Sequence, residues 1–350
     1  MRKKSNRFAQ AIDVEPGVCL VDTINMGRSY QLAIVSDIHY AGAAERSRGN
    51  DYEFRDLTSP AQRLFARYYR RYIWLHNPLE QWPLLDQFLD KVGPRDFLVA
   101  NGDYSCDSAF IGVVDDAARA SALECLQKLR QRFPNNFQAT FGDHEIGKLS
   151  FFGARGGMRL ASYRSACEAL ALQPFWQVEL GQYLLIGVTS SLIALPAYLG
   201  DPLAEELPEW QGLREAHLVD IRRAFAAVEP GQKVLLFCHD PTALTFLWQE
   251  ETVRAKLPQV EQTIIGHLHS NLVYFKSRLL AGMPTINFLG HAVKKMSHAL
   301  SQSRCWKNFK VRLCPALAGV QIMKDGGFYT VELDSEARRP ARFQFHRILR

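Results

Sequence analysis

The chain is poor in cysteine, with seven in 350 residues at positions 19, 106, 125, 167, 238, 305 and 314. The set is odd-numbered and scattered. That argues against a disulfide framework or a cysteine-ligated zinc site and places the protein in a reducing, cytoplasmic setting. No run reaches the ~18 uncharged apolar residues of a membrane-spanning helix. Met1–Gln10 is basic, but no apolar run follows, so a secretory leader is not expected. Repeats and low-complexity linkers are also missing. Acids are absent locally: residues 1–10, 60–79, 294–312 and the tail after Glu336 together hold nineteen basic residues and no acid. The rest has 23 basic against 36 acidic residues, a net −13 beneath the total of +6. An acidic body carries basic patches, and each half of that division needs a cause.

What is present is a rhythm of short apolar runs. Leu32–Val35, Phe97–Ala100, Phe137–Thr140, Tyr183–Val188, Val234–Phe237, Thr263–Ile265 and Ile286–Leu289 suit strands buried on both faces. Between them, Trp82–Val92, Asp115–Phe133, Leu160–Leu172, Gly212–Val228 and Thr242–Ala255 read as helices. The alternation predicts an α/β fold with helices outside. Gly327–Leu333 and Arg342–Phe345 read as an antiparallel pair, so residues 327–350 form a closing β-hairpin. One domain over 1–350, extended by insertions, fits better than two.

Five of the predicted strands end on residues that ligate metals. They are followed by Ser36-Asp37-Ile38-His39, Asn101-Gly102-Asp103, Gly142-Asp143-His144-Glu145, His239-Asp240-Pro241 and Gly266-His267-Leu268-His269. Ligands of open α/β sheets bind beyond the carboxyl ends of strands, so these residues share one rim. Gly102, Gly142 and Gly266 are expected to allow sharp turns there. Imidazoles and carboxylates suit Mn²⁺, Zn²⁺ or Fe. Two such ions can share a carboxylate and a water, whose pKa falls until it is hydroxide, a nucleophile suited to a phosphoryl centre.

The ordered set Asp37-x-His39, Gly102-Asp103, Gly142-Asp143-His144-Glu145, His239 and Gly266-His267-x-His269 resembles the calcineurin-like metallophosphoesterases over Leu32 to His269. The resemblance implies a four-layer α/β/β/α sandwich. It implies one divalent ion on Asp37, His39, Asp103 and His269, and a second on Asp103, Asp143, His239 and His267. Mn²⁺ is the first choice, with Zn²⁺, Fe or Mg²⁺ as alternatives. A metal-bridging hydroxide would attack phosphorus in line, with His144 as general acid or phosphate orienter and Glu145 supporting the ligands. The family's usual Asn is Asp143 here, which leaves two divalent ions a formal charge of +1 rather than +2. That predicts tighter metal retention and weaker attraction for highly charged monoesters. The gap from His39 to Gly102 is longer than usual, implying a helical insertion or cap over 41–92.

Within that insertion, Pro60–Leu75 carries a stripe of Arg63, Arg67, Arg70 and Arg71 and another of Leu64, Tyr68, Tyr72 and Leu75. This suits an amphipathic helix packed on the core, and equally a helix that binds phosphate while lying on a lipid surface. A second basic insertion, 291–325, includes Trp306 and Phe309 and has the same character. The expected substrate is a phosphodiester or pyrophosphate. A lipid-linked one is the leading idea, because the design resembles the UDP-2,3-diacylglucosamine pyrophosphatases, which differ at the position of His144. A soluble nucleotide phosphodiesterase or phosphatase and a non-catalytic metal-bearing scaffold are the alternatives. An anionic inner membrane face is the candidate surface partner, with nucleic acid behind it. His76, His217, His291, His298 and His346 are read as structural or surface residues, and Cys106 and Cys238 as small buried fillers.

Overall fold

A computed structural model describes residues 19–20, 29–55, 57–69, 78–106, 108–150, 155–285, 297, 299–320 and 324–348. The strand β2 (Ser29–Val35) lies parallel to β3 (Phe97–Asn101), and β3 to β4 (Phe137–Thr140). The closing hairpin, β10 (Gly327–Asp334) and β11 (Arg342–Arg347), adds antiparallel to β2 and completes a five-stranded sheet. A six-stranded sheet runs in the order β1 (Cys19–Leu20), β5 (Phe175–Leu180), β6 (Tyr183–Val188), β7 (Lys233–Cys238), β8 (Val260–Ile265) and β9 (Val311–Leu313).

Strand pleat explains how the sheets stack. Alternate residues Leu32, Ile34, Phe97, Val99, Leu185, Leu235 and Phe237 fill the space between the sheets. Ala33, Val35, Leu98 and Ala100 face the other way, onto α3 (Pro83–Val92), α4 (Asp116–Arg132) and α6 (Leu160–Glu168). Leu184, Ile186, Val234 and Leu236 face α8 (Leu207–Ala227), α9 (Ala243–Gln249) and α10 (Glu251–Lys256). The result is the expected α/β/β/α sandwich. Local chemistry sets the helix ends: Asp115 caps α4 by accepting from Ala117 and Ala118, and Pro83 opens α3. Cys106, Cys125, Cys167, Cys238, Cys305 and Cys314 are free, and among the described residues no helix is long and apolar enough to cross a membrane.

Four sequence expectations need revision or fall outside the described residues. Thr242–Ala255 is two helices, broken at Glu250, which is extended (φ −74°, ψ 111°) and receives both arms of Arg222 at 2.6 and 3.2 Å. In α2 (Pro60–Tyr69) the stripe expected to pack inward is exposed at Leu64 (69%) and Tyr68 (57%), and only Ala66 is buried. Arg70 to Leu75, His76, Ile286–Leu289, His291, Lys294, Lys295 and His298 lie outside the described residues. In the 291–325 segment, Trp306 and Phe309 are buried against the helical layer of the six-stranded sheet and β9 extends that sheet, so this part builds the core.

His217, read as structural, is buried in α8 with its ring 6.3 Å from Phe175, and its Nε2 accepts the Thr189 N–H at 3.0 Å. Burial pulls its pKa down from 6.5 to about 3. The unfolded histidine takes up its proton first, so the stability contributed by neutral His217 is complete above pH 6.5 and declines as pH falls toward 3. At pH 5 the loss is about 2 kcal/mol. Urea unfolding at pH 7 and pH 5 should show a gap smaller by about that amount in His217→Gln. An equal gap in both proteins would rule this histidine out.

Candidate metal centre

The five loops beyond β2, β3, β4, β7 and β8 meet at one rim. All seven predicted ligands are there: Asp37, His39, Asp103 and His269 form one group of ligand atoms within 4.8 Å of one another, and Asp143, His239 and His267 form another. Asp103 belongs to both regions. Its Oδ2 lies 3.9 Å from His39 Nε2, 3.8 Å from His144 Nε2 and 3.2 Å from His239 Nε2. His269 Nε2 lies 3.2 Å from Asp37 Oδ1, while Asp143 Oδ1 faces His267 Nδ1 at 3.1 Å and His239 Nε2 at 3.4 Å.

The backbone is bent to present these groups. Asp37, His39, Asp103, His267 and His269 all have left-handed φ, between 48° and 63°. Asp and His tolerate that region better than most residues, at a cost of about 1 kcal/mol each. Hydrogen bonds between loops hold the bends: Asp37 N–H to Gly102 O, His39 N–H to Asp103 O and Gly266 N–H to His239 O at 2.9–3.1 Å. The Asp37 carboxylate accepts from His267 N at 2.9 Å, tying the first loop to the last. Of the three glycines expected to make sharp turns, only Gly102 has positive φ (90°). Gly142 and Gly266 serve close approach instead, since a Cβ would overlap Asp103 at the first and Ser36 and Asp37 at the second.

The hydrogen bonds of Glu145 go to backbone N–H groups of the ligand loops, not to ligand side chains. Its Oε2 accepts from Gly142 N (2.8 Å) and Asp103 N (3.1 Å), and its Oε1 from Tyr104 N (2.8 Å), so it joins the second and third loops. Burial, with the Asp103 charge behind it, raises its pKa to about 7. Burial also works against ionising the three aspartates. The His239 imidazole overcomes it for Asp37, His144 and His239 for Asp103, and Lys148 and His267 for Asp143, holding all three below the usual carboxylate range. The carboxylates in turn raise His267 to about 9, through Asp240 and Asp143 and against its burial. His144 falls to about 4, chiefly through burial.

The residues fit divalent ions. Asp103 Oδ2 and His239 Nε2 are buried 3.2 Å from each other with no further hydrogen-bond partner, an arrangement costly without a ligand between the loops. The Nδ1–H of His239 donates to Asn101 O at 2.6 Å, which directs the lone pair of Nε2 into the centre. Sequence reasoning missed Lys148, whose ammonium lies 3.0 Å from Asp143 Oδ2 and touches His144 Nε2. It also missed Ser36, which donates to Asp37, and Tyr198, which donates to Asp240. Ser36 lies inside a quoted motif. Lys148 gave no signal beyond its nearness to Asp143.

The family model described as calcineurin-like phosphoesterase matches residues 30–271. Among solved structures, a dimetal phosphatase from Danio rerio is similar at 12% identity over 91% of this chain and 96% of that one, with a TM-score of 0.44. A purple acid phosphatase from yellow lupin (Lupinus luteus) seeds gives 11% identity over 92% of this chain, which spans 52% of that one, with a TM-score of 0.40. Phosphopantetheinyl hydrolase from Mycobacterium tuberculosis gives 15% identity, 70% and 84% coverage, and 0.36. No curated protein matches.

Replacing Glu145 by Gln must turn an amide NH₂ toward at least one of its three backbone N–H groups. The expected cost is about 1–3 kcal/mol in urea unfolding. Mn²⁺ binding measured by calorimetry should weaken along with it. Unchanged Mn²⁺ affinity would show that Glu145 does not position the ligand loops.

Proposed function

The chain belongs to the calcineurin-like phosphoesterase family, and on that premise we propose that it hydrolyses a phosphodiester or pyrophosphate with a polar second substituent. The observation that carries this is the pair of oxygen and nitrogen donor clusters meeting at Asp103. Two divalent ions bound there supply Lewis acidity and a water acidified toward neutrality. Asp37, His39, Asp103 and His269 would hold one, and Asp103, Asp143, His239 and His267 would hold the other. Mn²⁺ fits this donor set, and Zn²⁺, Fe and Mg²⁺ remain alternatives. His144, kept neutral at pH 7 by burial, carries one ring proton and orients a phosphoryl or leaving-group oxygen.

The preference for a second substituent comes from a cavity of about 760 Å³ between the chain that follows Asp103 and the 41–92 insertion. Its inner wall includes Cys106 and Ser108, on the loop that carries Asp103, and its outer wall belongs to the 41–92 insertion, with Arg48, Asp51, Glu53 and Arg67. That volume suits a nucleoside-sized group, and the charged lining suits a polar one. Arg63 donates to Leu57 O at 2.9 Å and Arg67 pairs with Asp51 at 2.6 Å, so both bind the cap's own chain.

A lipid-linked pyrophosphate at an anionic membrane face is the second reading. It is favoured by the exposure of Leu64, Phe65 and Tyr68 on α2. A panel of soluble diesters, nucleotide pyrophosphates and lipid-linked pyrophosphates in vesicles, assayed with Mn²⁺, separates the two. Bis(4-nitrophenyl) phosphate should be hydrolysed, with a loss of roughly a hundredfold or more in His239→Ala. Activity that survives His239→Ala, or no activity with any divalent ion, would overturn the hydrolytic reading. A requirement for vesicles would favour the lipid.

A further inference from the structure

Asp143 presents its two oxygens to different partners. Oδ1 faces the imidazoles of His267 and His239 at 3.1 and 3.4 Å, and Oδ2 faces the Lys148 ammonium at 3.0 Å. The inner oxygen is therefore open to a cation in the centre while the outer one already carries a positive neighbour. Lys148 touches His144 as well, so its charge lies where the phosphoryl group is expected.

The chain is shaped to keep the lysine there. Gly147, with φ 100°, turns the backbone after α5 (Asp143–Ile146), and the Lys148 N–H then bonds Phe110 O at 3.1 Å. The Lys148 carbonyl accepts from Gly157 N at 3.0 Å. A Cβ on Gly147 would stand 2.7 Å from Ile111 C, and one on Gly112 would stand 2.6 Å from Glu145 O, so the turn packs backbone on backbone. Little freedom is left to a segment whose side chain is only 28% exposed.

We propose that Lys148 is a positioning residue that neutralises the outer oxygen of Asp143, so that the Asp143–Lys148 pair acts as one neutral ligand and determines the centre's preference for highly charged phosphates. This rests on the two-ion reading above. Three aspartates leave two divalent ions a formal charge of +1, and Lys148 restores +2. The expectation from Asp143 alone, a weaker hold on monoester dianions, is cancelled on this reading.

The test is calorimetry of inorganic phosphate binding to the Mn²⁺-loaded protein, joined to the ratio of kcat/KM for 4-nitrophenyl phosphate over bis(4-nitrophenyl) phosphate. Lys148→Gln should weaken phosphate binding roughly tenfold and lower the ratio similarly. Lys148→Arg, which keeps the charge, should stay within a few-fold of wild type. The double variant Asp143→Asn with Lys148→Gln should recover both quantities, because the formal charge returns to +2. Phosphate binding unchanged in Lys148→Gln, or a double variant no better than that single one, would overturn the proposal. A wild-type protein that binds no Mn²⁺ would instead overturn the two-ion reading.

Discussion

Three carboxylates buried at the rim of one sheet set the terms for this molecule. Asp37, Asp103 and Asp143 all follow strands of the five-stranded sheet, while His239, His267 and His269 follow strands of the six-stranded one. Burying so much negative charge is tolerable only if positive charge is brought to it. Here part of it, from His239, His267 and His269, arrives from across the interface, and Lys148 and His144 bring the rest from the same side. The apolar layer of Leu32, Ile34, Leu235 and Phe237 that joins the sheets therefore does more than stabilise them, because it sets imidazoles opposite carboxylates. Folding and cation binding share one interface and are thermodynamically linked.

Precision at the rim is obtained from strain held by surrounding order. Five non-glycine residues in left-handed backbone would relax if the loops were independent. They are not: Glu145 gathers three backbone amides from two loops, and Ala316 N–H and Leu317 N–H bond the carbonyls of His269 and Asp37, one from each sheet. The acidic excess of the chain body has part of its cause here. Some of the basic patches also serve the fold, with Arg63 and Arg67 tying down the cap.

Much of this was legible in the sequence because parallel strands buried on both faces leave unbroken apolar runs, and five of those runs ended on a ligand type. The runs before Asp37, Asp103, Asp143, His239 and His267 all became strands. Strand β5 was missed because its buried and part-buried residues alternate, and β9 because three residues leave almost no signature. The break at Glu250 depends on Arg222, 28 residues away, which local periodicity does not register. Lys148 was invisible for a related reason: a lysine reads as surface unless the turn before it is known to fold it back.

One detail of the loops bears on how such a protein changes over time. The chain leaves the ligand loops after Tyr40, which stays bonded to the second loop through Tyr40 N–H to Tyr104 O at 2.9 Å and Cys106 N–H to Tyr40 O at 3.2 Å, and it returns through α3, whose Leu84, Leu85 and Phe88 are buried in the core. The stretch before α3 is anchored at both ends, and lengthening such a loop adds only about 0.6 kcal/mol per doubling. That stretch can thus be lengthened, shortened or exchanged while α3 and the ligands stay in register. New specificities are open to the scaffold by swapping one module, with the chemistry at Asp103 inherited intact.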